Sequence, residues 1–144
     1  MTTRPGTSEQ PAPSLSMSMK MLAIVACGGA LGAVLRYGVY VLTAKLAPSG
    51  FPVATLAVNI IGSAAMGAFV EAAALRWNVG LELRTFVAVG LLGAFTTFST
   101  FSLDAVVLYQ RDRLTAAALY VALSVVCCIA GLLAGMALVR RPLL

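Results

Sequence analysis

Four apolar stretches leave this chain few ways to fold. Residues 21–44, 53–74, 85–103 and 114–139 each come to about the ~20 residues that a helix needs to cross a ~30 Å hydrocarbon layer. The first is interrupted only by Arg36, the second contains Asn59 and has Glu71 near its end, and the third extends past Asp104 to about residue 109. The fourth carries no charge. Between them lie only residues 45–52, 76–84 and 110–113, too short for a soluble domain. Hydrocarbon offers backbone amides no partner, so apolar stretches of this length cross it as helices. The expected fold is an all-α membrane protein with transmembrane helices at about 21–44, 53–75, 85–109 and 114–139. The lipid bilayer is its first partner.

Composition excludes most enzymatic chemistry. The chain of 144 residues is 60% hydrophobic and 10% charged, against roughly a quarter charged in soluble domains. There is no histidine, which removes histidine triads, histidine zinc sites and most proton shuttles. Five carboxylates (Glu9, Glu71, Glu82, Asp104, Asp112) are too few for a paired acid–base site unless distant ones meet. No enzyme is expected. Cys27, Cys127 and Cys128 fall inside spans without metal or disulfide spacing and read as small apolar filler. Trp77, Tyr40 and Tyr109 lie near span ends, as interfacial aromatics do.

Residues 1–19, rich in Pro, Ser and Thr, read as a disordered extension outside the bilayer, ahead of a membrane domain over 20–144. The first span is too long for a signal-peptide core and lacks a small-residue cleavage site, so it reads as a retained helix; Met17, Met19 and Met21 leave alternative starts open. Near the span ends, Lys20, Arg76, Arg84, Arg140 and Arg141 lie on one side, with Arg4 farther out, and Lys45, Arg111 and Arg113 on the other. So shallow a bias towards both termini inside is compatible with insertion in both orientations. The net charge of +5 is spread over loop ends that face phospholipid, with no nucleic-acid patch.

Polar residues inside a membrane span are functional candidates, because lipid cannot satisfy them. Thr55, Asn59 and Ser63 recur every fourth residue on one side of the second helix, and Tyr120, Ser124 and Cys128 do so on the fourth. Either line could instead be hydrogen-bonded glue between helices or hydroxyls bonded back to their own backbone. Residues 93–102, GAFTTFSTFS, crowd Thr96, Thr97, Ser99, Thr100 and Ser102 among Phe95, Phe98 and Phe101, after Gly90 and Gly93. That is a poor sequence for an unbroken helix, so the third helix is expected to break near its middle. Freed carbonyls would suit a hard cation and freed amides an anion. Phenylalanine ring edges are the positive side of the quadrupole and can act as weak anion ligands. Arg36 either reaches the headgroups or draws anions to a vestibule. Glycines at 28, 29, 32, 62, 67, 131 and 135 predict tight helix packing with little room for a central pore, which favours a path between subunits of a dimer.

Neutral N–H and O–H donors, ring edges and one arginine, without a mid-membrane carboxylate, favour a small anion held by many weak sites. Three segments, GGALGAVLRY at 28–37, TLAVNIIGS at 55–63 and GLLGAFTTFSTFS at 90–102, together resemble the Fluc/CrcB fluoride channels of prokaryotes. The resemblance covers residues 20–140, and its third motif is the specific one. It implies a fluoride-selective passive channel of the cell membrane that exports fluoride, built as an antiparallel dual-topology dimer with two pores lined by both subunits. It implies a structural sodium ion at the dimer centre, held by the backbone carbonyls of Gly93 and Thr96 from each subunit. Phe98 and Phe101 would turn ring edges to fluoride, Asn59 would offer its amide, and Arg36 would stand near the vestibule. Tyr120 and Ser124 would form the hydroxyl track, with Thr55 placed along the same path. Cys128 stands where another hydroxyl is expected, and Ala94-Phe95 replaces the more usual Gly-Leu. The partner is an identical chain or a paralogue. The competing reading is a small dual-topology multidrug or cation exporter, for which Glu71 is the only candidate coupling carboxylate.

Overall fold

The structure, a computed structural model, describes residues 15–46, 50–75 and 79–140. Most of the expected N-terminal extension, together with Arg76, Trp77 and Arg141, lies outside them. The described residues are all helical apart from short connections. α1 is Leu15–Leu46, α2 is Val53–Leu75, and the third span comprises α3 (Leu81–Arg84), a π-helical stretch (Thr85–Leu92), α4 (Gly93–Phe95) and α5 (Phe98–Gln110). α6 is Leu114–Arg140. Each of the four spans is long and apolar enough to cross a membrane, and no more than 22% of the most apolar window of any span is buried inside the chain. Helices this apolar with so little cover need lipid or another subunit around them. The chain is a multi-pass membrane protein.

Two boundaries differ from the sequence reading. α1 begins at Leu15, so residues 15–19 extend the first helix instead of belonging to the extension. The Ser and Met residues there tolerate helix once a long apolar segment has nucleated it, because propagation costs far less than nucleation. The third span begins at Leu81, four residues before the expected start, with Gly80 as its extended N-cap. The break in that span falls where it was expected, at Thr96 and Thr97.

Glycine sets the helix spacing. α2 packs most extensively on α6, and α1 on the π-helical stretch. A Cβ on Gly67 would strike the Leu132 carbonyl, and one on Gly135 the Ala64 carbonyl. On the other side, a Cβ on Gly28 would come within 2.6 Å of the Phe86 carbonyl oxygen. Backbone cannot move aside as a flexible side chain can, so these crossings hold only with glycine. One end of the bundle is tied by ion pairs: Arg140 Nε and Nη2 donate to the two oxygens of Glu71 at 2.6 and 3.1 Å, and Lys20 pairs with Glu82. At the opposite end Leu108, Ala117 and Tyr120 form a buried cluster with Phe51, Leu56 and Phe101 packed against it. Gly50 takes φ +65° in the α1–α2 connection, a left-handed conformation that glycine adopts without strain.

Replacing Gly135 with leucine should therefore unseat α6 from α2. The expected cost is about 3 kcal/mol or more, because the clash is with backbone. Thermal unfolding in detergent should show a large fall for Gly135→Leu and almost none for Gly80→Ala, whose Cβ meets nothing within 4 Å.

Candidate anion and cation sites at the helix break

The break is local chemistry first. Thr96 has φ −81° and ψ 159°, and Thr97 has φ −153° and ψ 114°, so two consecutive residues are extended in the middle of a span. Three of the five crowded hydroxyls turn to nearby backbone. Thr96 Oγ1 donates to Leu92 O at 3.0 Å and Ser102 Oγ to Phe98 O at 3.0 Å. Thr97 caps α5, its Oγ1 accepting from the Thr100 amide at 3.2 Å.

Asn59 completes the break from the neighbouring helix. Its Oδ1 accepts the Thr97 amide at 2.8 Å, and its Nδ2 donates to the Thr97 carbonyl at 3.1 Å. One side chain thus satisfies both backbone groups of an extended residue that is only 7% exposed. Two other groups lose their partners in the same step. In an unbroken helix the Thr97 amide would reach Gly93 O, and the Thr100 amide would reach Thr96 O. Both amides are used elsewhere, so the carbonyls of Gly93 and Thr96, the two expected cation ligands, are among the acceptors of residues 93–96 that the break releases. Oxygen-only ligands of this kind fit a hard cation.

The two polar lines face each other across the α2–α6 contact. Thr55 and Tyr120 are both fully buried and meet at Asp104: the Thr55 hydroxyl donates to Asp104 Oδ2 at 2.6 Å and the Tyr120 hydroxyl to the same oxygen at 3.3 Å. Tyr40 of α1 stands 2.8 Å from Thr55 Oγ1. At the deep end, Cys128 lies beside the Ser63 hydroxyl. Between them Ser124, 6% exposed, holds the one buried side-chain polar atom without a hydrogen-bond partner among the described residues.

The phenylalanines do not form one stripe. Phe95 is buried on α4 beside Gly62, whereas Phe98 and Phe101 lie past the break on α5 with ring centroids 5.3 Å apart. Phe98 is 79% exposed, and Phe101 continues inward to Tyr120, 5.4 Å away. The structure brings Thr55 and Tyr120 together at Asp104 and sets Phe101 against Tyr120, with Asn59 one turn from Thr55 on α2 and Ser124 one turn from Tyr120 on α6. It leaves Arg36 apart from them, half-buried on α1 with no hydrogen bond to any described residue. Tyr40 and Asp104 join the polar cluster without being among the site residues expected from the sequence. The signal for Asp104 was its register, since it continues the three-residue spacing of Phe95, Phe98 and Phe101.

Asn59→Leu should lose both bonds to Thr97 and leave that residue's amide and carbonyl buried and unpaired, costing about 2–4 kcal/mol. Asn59→Asp keeps the acceptor for the Thr97 amide but sets a carboxylate oxygen against the Thr97 carbonyl. Thermal unfolding in detergent should fall clearly for both, and a variant as stable as the parent chain would contradict the pairing.

Residues 23–136 match the family described as CrcB-like protein, Camphor Resistance (CrcB). Three relatives bear the name fluoride-specific ion channel FluC. One from Agrobacterium fabrum is 51% identical over 120 residues, covering 83% of this chain and 96% of the relative. One from Rhodospirillum centenum is 48% identical over 122 residues (85% and 97%), and one from Roseobacter denitrificans is 53% identical over 127 (85% and 97%). The matched region contains all three segments of the sequence resemblance, and it spans the break, its Asn59 clamp and both polar lines. The chain belongs to the CrcB family.

Proposed function

We propose that this protein is a fluoride-selective passive channel of the cell membrane that lets fluoride leave the cell. The observation that carries this reading is the buried, unpartnered hydroxyl of Ser124, set between the polar residues of α2 and α6. An unpaired buried donor is costly unless something visits it. A small anion is the visitor that the polar lines fit: they offer hydroxyls and the second N–H of the Asn59 amide, with the ring of Phe101 against Tyr120 and that of Phe98 beside it. Each is a weak ligand, and an ion must leave a channel as readily as it arrives. The names of the relatives agree with this chemistry and describe channels, not enzymes.

The assembly we propose is an antiparallel dual-topology dimer. A phenylalanine left 79% exposed at mid-span, next to the break, supports a second subunit covering it. The shallow bias of basic residues between the two sides is compatible with opposite orientations. The Gly93 and Thr96 carbonyls of one chain offer two oxygens, short of the roughly six that a hard cation takes. The same pair from a second copy would bring the number to four around a structural sodium ion on the dimer axis. Such an ion would supply a fixed positive charge between subunits and offset the carbonyl dipoles. The competing exporter reading is weakened by Glu71, whose two oxygens are both bonded by Arg140 and so are not free for proton coupling.

Purified protein in liposomes should release fluoride and retain chloride; equal release of both would refute the assignment. Phe98→Ile and Phe101→Ile should each cut fluoride flux roughly two- to tenfold, the kinetic equivalent of an edge contact of ~0.5–1.5 kcal/mol, with the dimer intact. Exchanging sodium for a large organic cation should weaken activity or assembly, and Thr96→Ser, which keeps the carbonyl, should be mild.

A further inference from the structure

Three cysteines lie within the spans, and the structure separates them. Cys27 is exposed on α1, and Cys127 and Cys128, both half-buried on α6, face different ways because helical neighbours stand ~100° apart. Only Cys128 continues a polar line. It stands one turn beyond Ser124 on the same side of α6, and the Ser63 hydroxyl of α2 lies beside it. Helical side chains lean towards the N-terminus of their helix, so the thiol leans over the turn that carries Ser124. The hydroxyl of Ser124 is 6% exposed and has no hydrogen-bond partner among the described residues, so the thiol overlies an open polar position instead of closing it. A thiol is a weak donor and a weak acceptor, and answers that hydroxyl poorly. What sets it apart from the other groups of the two lines is softness: sulfur takes soft metals that hydroxyl oxygen does not.

We infer that Cys128 is a soft-metal site within the ion path: a linear, two-coordinate thiophilic metal species binds its sulfur and closes the path. Resting on the fluoride-channel assignment, this adds a second class of ligand at the deep end of the polar lines and a way of shutting them. The chain has no histidine, and no group of three metal-ligating side chains forms among the described residues, so a tetrahedral zinc site has no ligand set here. A linear species that brings one ligand of its own needs only one thiolate. Methylmercury chloride is such a species. Its Hg–Cl bond and the S–H bond break, an Hg–S bond forms, and the proton and chloride leave to water with no change of oxidation state. The molecule is uncharged before and after the exchange, so it enters a span without the penalty of burying an ion. Once bound, it sets an apolar methylmercury group beside Ser63 and over Ser124, where an ion must pass from one weak site to the next. Cys27 and Cys127 can undergo the same exchange, but they lie off the polar lines.

The test is initial fluoride flux from liposomes before and after methylmercury chloride, with the intact mass of each sample counting the mercury bound. The chains are the parent, a Cys27→Ala/Cys127→Ala chain that keeps only Cys128, and a thiol-free control at 128, either Cys128→Ser or Cys128→Ala, whichever elutes as the parent species does. The parent and the chain keeping only Cys128 should each lose fluoride flux roughly tenfold or more, and an excess of a small dithiol should restore it by competing for the metal. The control at 128 should change less than about twofold, although its two other cysteines take up mercury. Full mercuration of Cys128 with flux retained, or no mercury on the chain keeping only Cys128, would overturn the inference and leave the channel assignment standing. A loss in the control at 128 equal to that of the parent would do the same. A parent chain that carries no fluoride would overturn both.

Discussion

The structure depends on one side chain meeting one peptide unit. A helix that breaks in hydrocarbon exposes amides and carbonyls to a medium that cannot bond them, at several kcal/mol each. Asn59 removes that penalty at Thr97 by answering both of its backbone groups, and Thr97 in turn caps α5. Everything proposed at the centre of the membrane rests on this exchange. The amides of Thr97 and Thr100 turn away from Gly93 and Thr96, and two carbonyls of the same span become available together. Phe98, the first residue of the restarted helix, is carried outward. A stabilising interaction and the proposed site are here consequences of the same pair of bonds.

The rest of the bundle holds that geometry in place by close packing instead of by polar contacts. Gly67 and Gly135 allow α2 and α6 to touch backbone to backbone, which brings the Thr55–Asn59–Ser63 line opposite the Tyr120–Ser124–Cys128 line. The π-helical stretch from Thr85 to Leu92 lies against α1, where Gly28 makes room for it. The wider π turn rotates α4 and α5 about the axis of the span, and such stretches concentrate next to functional positions. The two ends of the bundle differ in kind: one is closed by the Glu71–Arg140 and Lys20–Glu82 pairs, the other opens into clefts around Asp104.

The spans were legible in the sequence because run length and hydropathy need no knowledge of neighbours. The break was legible as well, since glycine, threonine and serine in that density oppose helix by local propensity alone. The features that stayed hidden depend on partners distant in sequence. Asn59 reads as a donor to an ion, but its partner is a backbone 38 residues away. Thr55 and Tyr120 read as free hydroxyls, whereas Asp104 takes both protons, and no periodicity within α2 or α6 reports a carboxylate on α5. The helical continuation of α1 back to Leu15 was hidden by polar composition that a preformed helix tolerates. The extended pair at Thr96 and Thr97 also divides the equally spaced phenylalanines, leaving Phe95 on one side and Phe98 and Phe101 on the other.

The most direct test of the central claim is an experimental density map of the purified protein in lipid with sodium present. Thr96 and Thr97 should be extended, the Asn59 amide paired with both backbone groups of Thr97, and the Gly93 and Thr96 carbonyls of two chains should converge on one ion. A continuous third helix, with the Thr97 amide bonded to Gly93 O and Asn59 turned elsewhere, would contradict it.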